Sequence, residues 1–266
     1  MNDARTVARI ELPLAGAGND DASYEALTTL RDEIVPTTVG GLPGVTAGIT
    51  GDTAFAKDFD DALRGTAPLV FGFVLAFAFL LLLVSFRSIV IAVKAIALNL
   101  LSVAAAYGVL VLVFQHGWGQ GLLGFDYTDG VMVWLPVFLF VILFGLSMDY
   151  HVFILSRIRE AYDGGMRTDE AIAHGIKSTA SVVTSAALVM VFVFSIFGTL
   201  SLIMMKQFGV GLAAAVLIDA TIVRAVLLPD TMKLLGEWNW YLPSWLRWLP
   251  RIRLEGSAHR PASELR

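Results

Sequence analysis

The chain has 266 residues, 56% hydrophobic and only 16% charged, with no cysteine and a mean hydropathy of +0.72. A soluble domain usually carries about 25% charged residues, and here the apolar residues gather in long uncharged runs, which excludes an ordinary water-soluble enzyme. The net charge of −4 is uneven: residues 1–67 hold eleven Asp/Glu against five Lys/Arg and the rest twelve against fourteen, with no basic stripe to argue for nucleic acid as a partner.

In chain order, residues 5–12 alternate around Val7, Ile10 and Leu12 and read as a short strand. Residues 21–34 place Tyr24, Leu27, Leu30 and Ile34 at helical spacing, and Val45 to Thr50 read as a second strand. From Asp52 a polar helix with Phe55, Phe59 and Leu63 on one side leads into the first apolar run. This βαβ-like piece is too small to bury a core alone, so it is expected to complete its sheet with chain from elsewhere.

Five runs are long enough to cross a hydrocarbon core, which takes roughly 20 apolar residues: residues 68–86, 89–114, 131–155, 179–200 and 208–228. Lys and Arg gather at Arg87 and Lys94, at Arg157, Arg159, Arg167 and Lys177, and in the tail at Lys233, Arg247, Arg251 and Arg253. The loop from Gln115 to Gly130 has neither, and the one from Ser201 to Gln207 has only Lys206. The positive-inside rule then predicts a cytoplasmic C-terminus with residues 1–67 outside. Those residues contain no apolar signal-peptide core, so the chain reads as a fragment or half of a larger transporter. The parts are a polar segment at 1–67, a membrane body at 68–230, and an interfacial segment and tail at 231–266.

The loop at 157–178 is expected to form an interfacial helix, capped by Thr168, with Asp169 and Glu170 in its first turn and Lys177 in its last. In the tail, Trp238, Trp240, Tyr241, Trp245 and Trp248 alternate with arginines and read as a membrane-surface anchor among lipid headgroups. Beyond Glu255 the composition predicts disorder.

An ionisable side chain inside a span costs about 2.5–3.5 kcal/mol on insertion scales and usually has a function. Asp149 lies about 22 Å inward from Trp134 at 1.5 Å per residue. It is a candidate proton site, with the Tyr150 hydroxyl able to donate to the ionised acid, or alternatively a snorkelling acid. Asp219, near the middle of the fifth run, serves packing or proton transfer. Arg224 is five residues on, about 140° around an α-helix, and is expected to reach the headgroups instead. Lys94 is expected to snorkel. Asn99 with Ser102, and Ser178, Ser181 and Ser185, read as polar contacts between packed helices.

No enzyme is read here, and no catalytic residue. Ser147, Asp149 and His151 contain the letters of a hydrolase triad, but on a helix Asp149 points away from the face that Ser147 and His151 share. No Walker-type phosphate loop appears, so ATP is not the energy source read from this chain. The four histidines lack metal-ligand spacing and there is no thiolate ligand, so neither metal nor cofactor is expected.

The stretch Phe144-Gly145-Leu146-Ser147-Met148-Asp149-Tyr150, followed by Phe153, Leu155, Ser156, Arg157 and Arg159, resembles the MMPL family of the RND transporter superfamily. So do Ser85-Phe86-Arg87-Ser88, the pair Asp219 and Arg224, and Trp238-Asn239-Trp240. The resemblance implies a mainly α, polytopic membrane helix bundle with a small α/β fragment of an extracytoplasmic porter domain at 1–67. It implies proton-motive-force-driven export of lipids or other hydrophobic compounds across a bacterial cell membrane. Members typically have twelve spans in two pseudo-repeats, and by that pattern this chain matches the C-terminal portion. Asp149 and Tyr150 match the second Asp-Tyr pair of the proton relay; Asp219, Asn99 and Arg224 are, from their own placement in the spans, candidate intramembrane polar partners. The implied partners are membrane lipids, a hydrophobic substrate, and a missing N-terminal half or homologous subunit. The reading of another class is a truncated, non-transporting membrane scaffold or lipid-binding fragment.

Overall fold

The computed structural model describes residues 6–16, 18, 20–125, 130–246 and 248. It divides into two compact units, Met1–Pro68 and Leu69–Arg266. Arg5, Arg247, Arg251, Arg253 and the chain beyond Glu255, which figured in the expectations above, lie outside the described residues.

In the first unit, α1 (Asp21–Thr29) runs through a π-helical turn (Leu30–Ile34) into the short α2 (Val35–Thr37). Asp20 caps α1 by accepting from the Ser23 backbone N–H at 3.0 Å. Leu27 and Leu30 are buried, and Arg31 forms a two-pronged ion pair with Asp58. Asp58 lies on α3 (Asp52–Phe86), a helix that continues through Pro68. No strand occurs among the described residues. The expected α/β fragment is therefore corrected to a helical one. Val7, Ile10, Leu12 and Val45 are exposed on extended chain, because alternation makes a strand only where a second backbone supplies the ladder.

The second unit holds α4 (Ile89–Leu110), with a π-helical end at Val111–Gln115, then α5 (Gln120–Leu123), α6 (Leu135–Asp163), α7 (Thr168–Phe197) and α8 (Ile203–Ile218). From α8 the chain continues as a π-helix over Asp219–Leu227 and as α9 (Leu228–Leu235). Five helical stretches are long and apolar enough to span a membrane: Asp52–Phe86, Ile89–Gln115, Leu135–Asp163, Thr168–Phe197 and Ile203–Trp240. The expected five spans are thus found, with different ends.

The expected interfacial helix at 157–178 does not form. Helix α6 runs on to Asp163, α7 starts at Thr168, and a short turn joins them. The charges ride on helix ends, where Arg157 pairs with Glu160 and Arg159 with Asp163. Nor does Thr168 cap by its side chain; Arg167 holds the cap position without a side-chain bond.

Small residues set the close packing of α6, α7 and α8, as in membrane bundles generally. A methyl on Gly175 would lie 2.4 Å from Ile158 Cγ1, and one on Gly209 would lie 2.5 Å from Phe197 Cβ. Around these contacts Leu110, Leu139, Phe140, Phe144 and Leu212 are fully or nearly fully buried. The α3–α4 link is only Arg87 and Ser88. Arg87 takes a left-handed φ of 49°, which costs a non-glycine residue about 1 kcal/mol, and Ser88 caps α4 by accepting from the Ile91 N–H at 3.2 Å.

Candidate functional site

Helices α4, α6 and α8 bring a polar cluster into the apolar bundle. Asp219 and Arg224, both 5% exposed, form an ion pair. Ser102 of α4 donates to Asp219 Oδ1 at 3.0 Å, and Ser147 of α6 donates to Oδ2 at 2.8 Å. Arg224 also donates to Ser147 Oγ at 3.1 Å and to the Ser147 carbonyl at 3.3 Å. A carboxylate with two hydroxyl donors and a guanidinium is what a buried charge requires, since an unpaired one would be prohibitive.

The expectation that Arg224 reaches headgroups is overturned by the local helix type. The 140° separation holds for an α-helix, but residues Asp219–Leu227 form a π-helix. Its i to i+5 bonding stacks residues five apart on one face, which places Arg224 over Asp219.

Asn99 donates to the Phe144 carbonyl over a long 3.5 Å. Its Oδ1, Arg224 Nε and His151 Nε2 are buried without a hydrogen-bond partner. Asn99, Ser102, Ser147, Tyr150, Asp219 and Arg224 share a cavity of about 10 Å³, on the scale of a single water molecule.

Asp149 stands apart from this cluster. It lies fourteen residues from either end of α6, at the helix midpoint, and is exposed. Ser147 and His151 lie on the buried face, with His151 Nδ1 3.1 Å from the Ser147 carbonyl. Tyr150 does not donate to Asp149: its hydroxyl meets Met190 Sδ at 3.8 Å, and its ring carries the Arg224 guanidinium 4.6 Å from the centroid. The phenol is thus joined to the buried ion pair. Ser178, Ser181 and Ser185 are all exposed in this chain, and the hydroxyls of Ser178 and Ser185 donate back to carbonyls of their own helix.

Lys94 does not snorkel. It is 9% exposed and donates to Asn239 Oδ1 at 2.9 Å. Asn239 in turn donates to the carbonyls of Met232 and Gly236, both at 2.6 Å, and its own carbonyl accepts from Ser88 Oγ at 2.5 Å. Beside it, Trp240 stacks on Tyr162 at 4.4 Å under the Arg159 guanidinium, while Glu237 accepts from Tyr162 and Thr168. Trp238, Tyr241, Trp245 and Trp248 remain largely exposed, as rings at a lipid surface would be, whereas Trp240 is built into the bundle. At the opposite end Lys206, 4% exposed, donates to the carbonyls of Leu123 and Gly124, and Gln207 bonds to Gly130 and Met132. Among the described residues no group of His, Asp and Glu is arranged to hold a metal ion.

Comparison with known proteins places this architecture. Residues 2–261 match the MMPL family. The chain is 41% identical, over 96% of its length, to the mycolic acid-containing lipids exporter MmpL11 of Mycolicibacterium smegmatis, of which it covers 28%. It is 44% identical over 85% of its length to the heme uptake protein MmpL11 of Mycobacterium tuberculosis, covering 23% of it. To the trehalose monomycolate exporter MmpL3 of Mycobacterium tuberculosis it is 37% identical over 91% of its length, covering 25%. It therefore spans about a quarter of the length of these relatives. A family match over nearly the whole chain, with five helices able to cross a membrane, makes this a multi-pass membrane protein that belongs to the MMPL family of the RND superfamily.

Proposed function

We propose that the chain is the C-terminal portion of a proton-motive-force-driven exporter of lipids or other hydrophobic compounds in a bacterial cell membrane. Asp149 binds and releases the coupling proton, and Tyr150 ties its helix to the Asp219–Arg224 pair. Asn99 lines the same cavity and holds α4 against α6. Residues 1–67 lie outside as part of a porter domain, and the C-terminus is cytoplasmic.

The observation that carries the reading is the placement of Asp149. An ionisable group within a membrane span is costly, and here it is exposed on the side away from the buried polar face. Such a carboxyl is positioned to meet a facing surface, which an N-terminal half or homologous subunit supplies. Relatives named for the export of mycolic acid-containing lipids and of trehalose monomycolate support a lipid cargo. Heme, named for another relative, is the comparison substrate for the assay.

The test is to co-reconstitute the chain with a complementary N-terminal half in vesicles and impose a proton gradient. Asp149→Asn is expected to abolish proton-driven movement of labelled lipid while leaving the complex assembled. Transport equal to wild type in that variant overturns the proton role. Failure of the halves to associate, with degradation of the chain, marks the non-transporting scaffold instead.

A further inference from the structure

His151 is 1% exposed. Its Nδ1 lies 3.1 Å from the Ser147 carbonyl and 3.5 Å from Ser147 Oγ. A carbonyl oxygen only accepts, so Nδ1 must carry the hydrogen, and in the neutral ring Nε2 is then the bare lone pair. That lone pair is buried with no donor facing it. A satisfied structural histidine would use both nitrogens, because an unmet buried acceptor costs about 1–3 kcal/mol. A nitrogen held open beside an unbroken Nδ1 bond can take a proton without disturbing that bond.

The charges that reach the ring are Asp219 and Arg224 from the π-helical stretch after α8 and Lys94 from α4; on its own helix, Asp149 and Tyr150 stand within two residues. Ser147 joins the ring to the ion pair, since it accepts from Arg224 and donates to Asp219. An imidazolium at 151 would attract the Asp219 carboxylate and repel the Arg224 guanidinium.

We infer that His151 is a second proton-binding site of the bundle, loaded and unloaded at Nε2, and that its charge sets how firmly Arg224 is held to Asp219 and Ser147. The step is a single proton transfer to a lone pair: neutral Nδ1–H imidazole plus a proton gives imidazolium, and no other bond changes. Nε2 is closed off in the present arrangement, so loading belongs to a conformation in which α6 has shifted against its neighbours. His151 is thus a positioning residue that acts through Arg224 and Ser147. Its place in transport rests on the proton-coupled reading above, whereas its protonation does not.

The site is tested directly in the full 266-residue chain, ¹⁵N-labelled at histidine and placed in lipid nanodiscs, with His151→Asn used to assign the resonance. The expected spectrum is a neutral Nδ1–H ring that converts to imidazolium on acidification, and in Asp219→Asn that conversion moves to more acidic pH. A neutral ring hydrogenated on Nε2, or no imidazolium at any pH where the chain stays folded, overturns the inference in the wild-type protein alone. In the co-reconstituted transporter, His151→Asn keeps an amide donor for Ser147 but offers nothing at Nε2. It is expected to lower proton-driven transport and flatten its pH profile. His151→Asn matching wild type beside an inactive Asp149→Asn refutes the role of His151 in transport and leaves the proton-coupled reading standing. An active Asp149→Asn removes that reading, and the ring titration then decides His151 by itself.

Discussion

With Arg224 and Asp219 each 5% exposed, removing one partner leaves the other as an uncompensated buried charge. Arg224→Met is therefore expected to destabilise the bundle by about 3–5 kcal/mol. The double change Asp219→Leu with Arg224→Met removes both charges and is expected to restore most of that stability, because apolar replacements of a buried pair are often neutral. Thermal unfolding in detergent measures both; a double variant no more stable than the single one would show that the pair is not the source of the loss. The sequence marks both residues as costly and as candidate polar partners, yet α-helical geometry puts them on different faces. An angle calculated for an α-helix does not apply across Asp219–Leu227, and no composition rule distinguishes that π-helical stretch from its neighbours. Lys94 is hidden for a different reason. Its charge near a span end is plain, but its partner Asn239 lies 145 residues away and is identified only by the fold.

At the scale of elements, long apolar runs suffice to predict five helices, since in lipid a lone segment satisfies its backbone only as a helix. They do not predict the ends. Thr168 to Lys177 are too polar to count as span, yet they continue α7 without a break, because helical hydrogen bonds do not stop where the lipid does. The two expected N-terminal strands fail on the same principle, as a strand's bonds lie outside itself. Packing between helices turns on individual small residues. Gly209→Leu would drive a side chain into Phe197 and the Phe194 carbonyl, and overpacking of this kind typically costs about 1–3 kcal/mol. The expected outcome is a lower melting temperature in detergent, with helix content by circular dichroism unchanged; an unshifted melting temperature would mean that α7 and α8 can separate freely.

For the whole molecule, orientation is the property on which the proposed function depends most. The chain has no cysteine, so single introduced thiols report topology without background. Thr50→Cys, exposed in the first unit, is expected to react with a membrane-impermeant maleimide in intact cells. Met166→Cys, in the turn between α6 and α7 with its native side chain 40% exposed, is expected to react only after lysis. The opposite pattern would invert the proposed direction of transport. The Asn239 hub bears on how such a molecule is made. Lys94 and Ser88 lie at the start of α4, whereas the residue that receives them both lies 145 and 151 positions later in the chain. Closure at Asn239 thus ties the start of α4 to the far end of the membrane body, and a chain cut before Asn239 is expected to leave the Lys94 ammonium buried without its acceptor.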